Sequence, residues 1–297
     1  MWQAVWSERP SPPQRPGRLR KLLAALALLT LAPALLVACG ERPRKVLNLA
    51  ADASFQPALE SLRPDFEQHC GCRLNITGGA SGLLYSQIRE GGHFDIFLSA
   101  DTSRPAQLVK DGLTVPASLQ TYARGQLALW VSRRLIETAG EQEGEDYSAM
   151  VRLRSGELTP RQLILLLGRG KHKLVVADPQ LAPDGNAAVR MLKGLRLWPR
   201  VRGRMVYANH AGHAQIMLQQ GGGDMGLVAY GQALTSGSSG EFMRVPARFH
   251  PALNQQLVIL RATRERTLAI QFVQFLLSDE VQARLPELGF LPAATAR

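Results

Sequence analysis

Cysteine is nearly absent: the 297 residues hold three, Cys39, Cys70 and Cys72. That excludes a scaffold built on disulfides, which needs several spaced pairs in a short chain. Cys70 and Cys72 stand one residue apart in "HCGCRLNI". A bond between them would close a tight ring, and without a second pair the spacing makes no zinc site. They read as two small residues at a helix-to-strand turn. A basic patch interleaved with aromatics is also missing. That patch is the footprint of a nucleic-acid binder, and the densest basic run is only Arg200, Arg202 and Arg204. Nucleic acid is therefore not expected as a partner. His210 and His213 have no carboxylate cluster beside them, so no metal site is expected. There is no G-x-S-x-G elbow and no repeat of fixed period.

What is present begins with one long uncharged run. Residues 22–38, "LLAALALLTLAPALLVA", follow a basic stretch of Arg9, Arg15, Arg18, Arg20 and Lys21, and Pro33 interrupts them. The run is short for a membrane span. "LVAC" then sets Cys39 after small residues, with Gly40 next. Basic region, apolar region and this cysteine together read as a lipoprotein signal over residues 1–38. Cys39 becomes the lipidated N-terminus, an anchor with enough acyl chains for stable attachment. The expected location is periplasmic and membrane-anchored. Residues 1–38 carry five basic residues and one acid, which is +4 of the chain's +11, so the remainder is +7. A mild positive field of that kind raises the encounter rate with an anion.

From residue 45 the chain alternates short β-like runs with helix-like runs. "KVLNLAA" leads into "SFQPALESLRPDFEQH", whose Phe55, Leu59, Leu62 and Phe66 fall at helical spacing. "CRLNITGG", "SGLLYSQIREG", "FDIFLSA" and "RPAQLVKDG" repeat the alternation, the signature of an open α/β sheet. "GQLALWVS" (125–132) leads into a second lobe, and residues 137–161 read as a polar surface insertion. The expected division is residues 39–124 plus 236–297 in lobe I and 125–235 in lobe II, with two chain crossings as a hinge. Ligands of such sheets sit where strand C-termini meet helix N-termini. Two junctions of that kind stand out, "ADASF" and "GGASGLL". Each sets a serine, Ser54 or Ser81, at a helix start after small residues. Helix N-termini offer unpaired N–H groups and partial positive charge to an anion. The plain alternative is that each serine caps its helix.

The stretch from "AADASFQPALESL" to "FDIFLSAD", followed in order by "TYARGQLALWVS", "VVADPQLAPDGNAAVRMLKGL" and "GGGDMGLVAYGQAL", resembles the periplasmic molybdate-binding proteins of ABC transporters. The resemblance covers most of residues 45–292. It implies a type II periplasmic-binding fold: two α/β lobes, each a mostly parallel open sheet flanked by helices, with the ligand cleft between them. It further implies a monomer that holds molybdate or tungstate with hydroxyls and backbone N–H groups and delivers it to a membrane permease, without metal, cofactor or catalysis. Residue by residue, it points to Ala53 and Ser54, Ala80 and Ser81, Asp184, Ala211 and Ala229.

The match has departures. The family often has two serines where this chain has Ala80-Ser81, and Tyr230 stands one position beyond Ala229. Asp184 replaces a residue that is usually Ala or Tyr. A carboxylate ~5 Å from a dianion costs roughly 6 kcal/mol at an effective dielectric constant of ~20. Three resolutions are open. Asp184 turns away to cap the helix, or His210 or Arg190 neutralises it, or the ligand is a different oxyanion that carries a proton. A non-transport sensor and an exported hydrolase using Ser81 as nucleophile are the alternatives from other classes.

Overall fold

The computed structural model describes residues 44–139, 160–169 and 171–293. The signal segment and Cys39 lie outside the described residues, as does most of the polar insertion expected at 137–161. In chain order the first elements are β1 (Val46–Asp52), α1 (Gln56–Cys70), β2 (Arg73–Gly79), α2 (Ser81–Arg89), β3 (Ile96–Ser99), α3 (Ser103–Lys110), β4 (Gln120–Gly125) and β5 (Leu127–Ser132). Next come α4 (Arg133–Ala139), α5 (Pro160–Arg169), β6 (Leu174–Ala177), α6 (Pro183–Gly194), α7 (Trp198–Val201), β7 (Met205–Ala208), α8 (Ala211–Gln219), β8 (Met225–Ala229) and α9 (Tyr230–Ala233). The chain closes with β9 (Gly240–Arg244), β10 (Leu253–Ile259), α10 (Arg266–Leu276), α11 (Asp279–Arg284) and β11 (Leu291–Pro292).

Two sheets result. The first has six strands in the order β11-β4-β10-β3-β1-β2, the second five in the order β7-β6-β8-β5-β9. Helices cover both faces of each. In the first lobe, Phe55, Leu59, Leu62 and Phe66 of the α1 region pack with Phe272 and Leu276 of α10 on one face. Leu84, Ile88 and Leu108 of α2 and α3 pack on the other. The spacing of those four α1 positions puts them on one stripe of the helix, and Gly71 ends the helix in the left-handed region at φ 62°. In the second lobe α5, α6 and α7 cover one face and α8 the other.

The sheets are mixed, not mostly parallel. Pairing is parallel within the βαβ units, β1 with β2 and β3, and β6 with β7 and β8. It is antiparallel wherever β10 or β5 takes part. The reason is the double crossing. β5 and β10 are the strands that start from the hinge, so they run opposite to neighbours that end there. The lobe boundary also differs from expectation. β9, expected in lobe I, pairs with β5 in the second sheet from Ala128↔Arg244 to Ser132↔Gly240. The chain re-enters the first sheet only at β10. The flexible composition of "SGSSGE" marks a turn within the second lobe, not the crossing. Cys70 and Cys72 are joined by a disulfide at the α1–β2 turn. The sequence left their pairing open; Gly71 folds the expected helix-to-strand turn so that their Cα atoms lie 5.1 Å apart, within bridging distance.

Candidate functional site

β1, β3, β6 and β8 all end at the line where the lobes meet, and α1, α2, α6 and α8 start there. Neither serine caps its helix. α1 begins at Gln56 with Phe55 at its N-cap, and α2 begins at Ser81 with Ala80 at its N-cap; neither has a side-chain cap. Their donors go elsewhere. Ser54 N–H donates to Asp52 Oδ1 at 2.9 Å. Ser81 N–H and Ser81 Oγ donate to Asp52 Oδ2 at 2.9 and 2.5 Å. Ser81 Oγ in turn accepts from Ala100 N–H at 3.0 Å, and Ser54 Oγ accepts from Gln255 Nε2 at 3.4 Å. Asp52 is 1% exposed. A buried carboxylate is tolerable only when hydrogen bonds replace its hydration, and here three do.

Asp52 stands in the sequence as one of a small-residue run and is not among the residues expected at the site. A signal was available. An Asp two residues before a Ser at a strand end bonds the backbone N–H of residue i+2, and an acid among alanines at the end of a buried strand needs such a partner.

The second lobe contributes Asp184, in the first turn of α6 behind the N-cap Ala182. It is 3% exposed, and neither carboxylate oxygen has a hydrogen-bond partner. Its own N–H and that of Gly185 lie close enough to soften its charge, without the geometry of hydrogen bonds. Burial first, and then the negative charge of Asp52, push its carboxyl up to about 7. Asp184 therefore does not turn out to solvent as a helix cap. Nor does it form an ion pair with Arg190 or His210. His210 is the N-cap of α8, its Nδ1 accepting from His213 N–H at 3.1 Å. That bond leaves the ring proton on Nε2. Burial and the neighbouring His213 hold His210 below the usual histidine range, against a smaller opposing pull from Asp52.

The two lobes are in contact. Ala53, Ala211 and Ala229 form one buried apolar cluster across the cleft. Ala80 joins Ala177 and Ala182 in another. Gly82 N–H donates to Leu181 O at 2.9 Å, Arg104 to Gln180 O at 3.1 Å and Gln232 Nε2 to Ala53 O at 2.5 Å. Gly82 is needed here because a Cβ at that position would lie 2.9 Å from the Arg104 guanidinium and 3.0 Å from Leu181 O. So the structure brings the predicted residues to one interlobe junction, with the alanines forming its apolar seams and Ser54, Ser81 and Asp52 its polar centre. A cavity of about 480 Å³ opens beside it, lined among others by Asp101, Arg104, Pro183, Asn186 and Arg190, and none of the predicted residues lies on it.

Chemically, the first-lobe donors are neutral groups converging on one oxyanion position, which Asp52 takes here. Ser81 Oγ is tied to a carboxylate and a backbone N–H. A serine nucleophile needs an adjacent base that a third group orients, and no histidine stands against Ser81 in this network. Among the described residues no group of three or more His, Cys, Asp or Glu is arranged to hold a metal ion.

Comparison with known proteins shows what the chain as a whole is similar to. The chain is 28% identical over 278 residues to the molybdate-binding protein ModA of Rhodobacter capsulatus, covering 94% of this chain and 98% of that one. The structure superposes on the periplasmic molybdate-binding protein of Azotobacter vinelandii with a TM-score of 0.69 at 28% identity, covering 83% of this chain and 99% of that one. The sulfate-binding protein SubI of Mycobacterium tuberculosis, at 15% identity and a TM-score of 0.65 over 85% of this chain and 88% of that one, shares the fold. The profile of the bacterial extracellular solute-binding proteins matches residues 47–291. This chain belongs to that family.

Proposed function

We propose that the protein is the extracytoplasmic capture component of an ABC importer for a tetrahedral oxyanion of the molybdate and tungstate class. It closes its two lobes on the ion and hands it to a membrane permease, while lipid on Cys39 keeps it at the membrane. One observation carries the reading: Ser54 N–H, Ser81 N–H and Ser81 Oγ converge on a single carboxylate. Three donors from two loops at hydrogen-bond distance from one anionic group are an anion cradle, and they are neutral, so selection rests on geometry. The relatives named for molybdate, matched along nearly their whole length, support the same class. Closure of two lobes on a ligand needs no bond chemistry.

Equilibrium dialysis of the protein against molybdate, tungstate, sulfate and phosphate, with molybdenum and tungsten quantified by mass spectrometry and sulfate and phosphate by radiolabel, tests this. Retention of molybdate and tungstate at one ion per chain, with sulfate and phosphate unable to compete, is expected. Equal retention of all four, or of none, contradicts it.

A further inference from the structure

We propose that Asp184 binds the oxyanion through a proton: when the cleft holds a fully ionised oxyanion, the Asp184 carboxyl is protonated and donates a hydrogen bond to it. Capture is then linked to uptake of a proton from solution. The inference rests on the oxyanion reading and names how that site selects and is regulated.

The geometry leads there in three steps. Asp184 is 3% exposed on the second lobe, and both its oxygens lack a partner. A buried group with no partner is costly, and here it stands at the junction where the first-lobe donors converge. Next, the cleft already contains one buried carboxylate, Asp52, with its own three donors. A second ionised carboxylate together with a dianion would place four negative charges at one closed junction. Like charges at such a site force one group to keep its proton. Last, the bordering elements supply no compensating cation. Arg104 on α3 is paired with Asp101 and bound to Gln180 O. Arg190, further along α6, lines the neighbouring cavity with it. Burial holds His210, at the start of α8, below the usual histidine range, which favours its uncharged form. Asp178, at the end of β6, adds another acid, whose Oδ1 accepts from Gln180 N–H. A protonated Asp184 removes one charge and gains a donor, and its unpartnered oxygen gains an acceptor in the ligand.

The ligand-free carboxyl titrates at about 7. Molybdate affinity is therefore expected to be flat below about pH 6 and to fall about tenfold per pH unit above about pH 8, the slope of one proton taken up. Titration calorimetry at pH 8 in two buffers of different ionisation enthalpy measures that proton directly. Close to one proton taken up per molybdate or tungstate supports the proposal. Asp184→Asn keeps a donor without a proton to gain. It should abolish the uptake, flatten the profile from pH 6 to 9, and bind molybdate on the order of 100-fold tighter than the native protein at pH 9. Asp184→Ala should be equally flat but about tenfold or more weaker than the native protein at pH 6, having no donor. Native binding that is independent of pH and takes up no proton overturns the inference and leaves the oxyanion reading standing. Silence of the native protein and both variants with molybdate and tungstate throughout pH 6–9 overturns the oxyanion reading, and the inference with it.

Discussion

Replacing Asp52 by alanine separates two roles that the structure joins in one side chain. The carboxylate accepts three hydrogen bonds at 2.9, 2.9 and 2.5 Å while 1% exposed. Each buried donor left without its partner costs about 1–3 kcal/mol, and three donors sharing two oxygens are not additive. Removing the partner should therefore destabilise the ligand-free protein by about 3–4 kcal/mol at pH 6, where Asp184 is neutral. In a chain of this size that is a melting temperature lower by about 6–16 °C. At pH 8, where Asp184 is ionised, the loss should be smaller. The charge of Asp52 helps raise the Asp184 carboxyl, so two ionised carboxylates repel there, and the substitution relieves that repulsion. For an oxyanion ligand both terms act in favour of the variant, because three donors are freed and one negative charge is gone. Affinity for molybdate should rise by at least about 100-fold, or about 3 kcal/mol. Thermal unfolding with and without 1 mM molybdate reads both effects, since ligand stabilises by RT ln(1 + [L]/Kd). The variant should start lower and gain more. An unchanged ligand-free melting temperature would mean the three bonds carry no net stability. A smaller gain with molybdate than the native protein shows would refute the reasoning that Asp52 competes with the ligand for its donors.

Further expectations follow from the same site. Asp184 is raised from 3.8 to about 7 in the fold, so between those values the unfolded chain has lost its proton and the folded one keeps it. Stability should fall as pH rises through that window, by up to about 4 kcal/mol, and stay level above it. Asp184→Asn should remove this fall, as melting curves at pH 5 and pH 8 will show. Gly82→Ala places a methyl 3.0 Å from Leu181 O and should hinder closure, weakening oxyanion binding about tenfold or more in dialysis while leaving the far-ultraviolet circular dichroism spectrum unchanged. Reducing the Cys70–Cys72 bond should cost only about 1–2 kcal/mol, because so short a loop has little closure entropy to restrict; a denaturant midpoint that collapses on reduction would contradict that.

Much of the fold was legible because local pattern and global packing agree. The helical spacing of Phe55, Leu59, Leu62 and Phe66 and the apolar run Ile96–Ser99 each specify an element without tertiary information. The antiparallel strands were harder. β5 was read as the strand leading into the second lobe and β10 as an ordinary strand, but nothing in their composition gives their direction against their neighbours, so the mixed pairing follows only from topology. β9 was placed in the wrong lobe because a Gly/Ser-rich turn resembles an interlobe crossing in composition. At the site, the serines and alanines were found through their junctions. Asp52 was not: its local bond to Ser54 N–H marks only a turn, and its place at the site shows only once Ser81, 29 residues later, converges on it. Asp184 was found as a departure, but its burial without a partner depends on lobe contact, which sequence does not encode locally.

An oxyanion held between the lobes should sit where the first-lobe donors meet Asp184. A crystal structure of the protein grown with tungstate tests it directly, since tungsten's anomalous scattering locates the ion without ambiguity. One strong peak is expected between the N–H groups of Ser54 and Ser81 and the Asp184 carboxyl, with Asp52 turned off those donors. A peak only in the neighbouring cavity beside Arg104 and Arg190, or none at a saturating concentration, would contradict it.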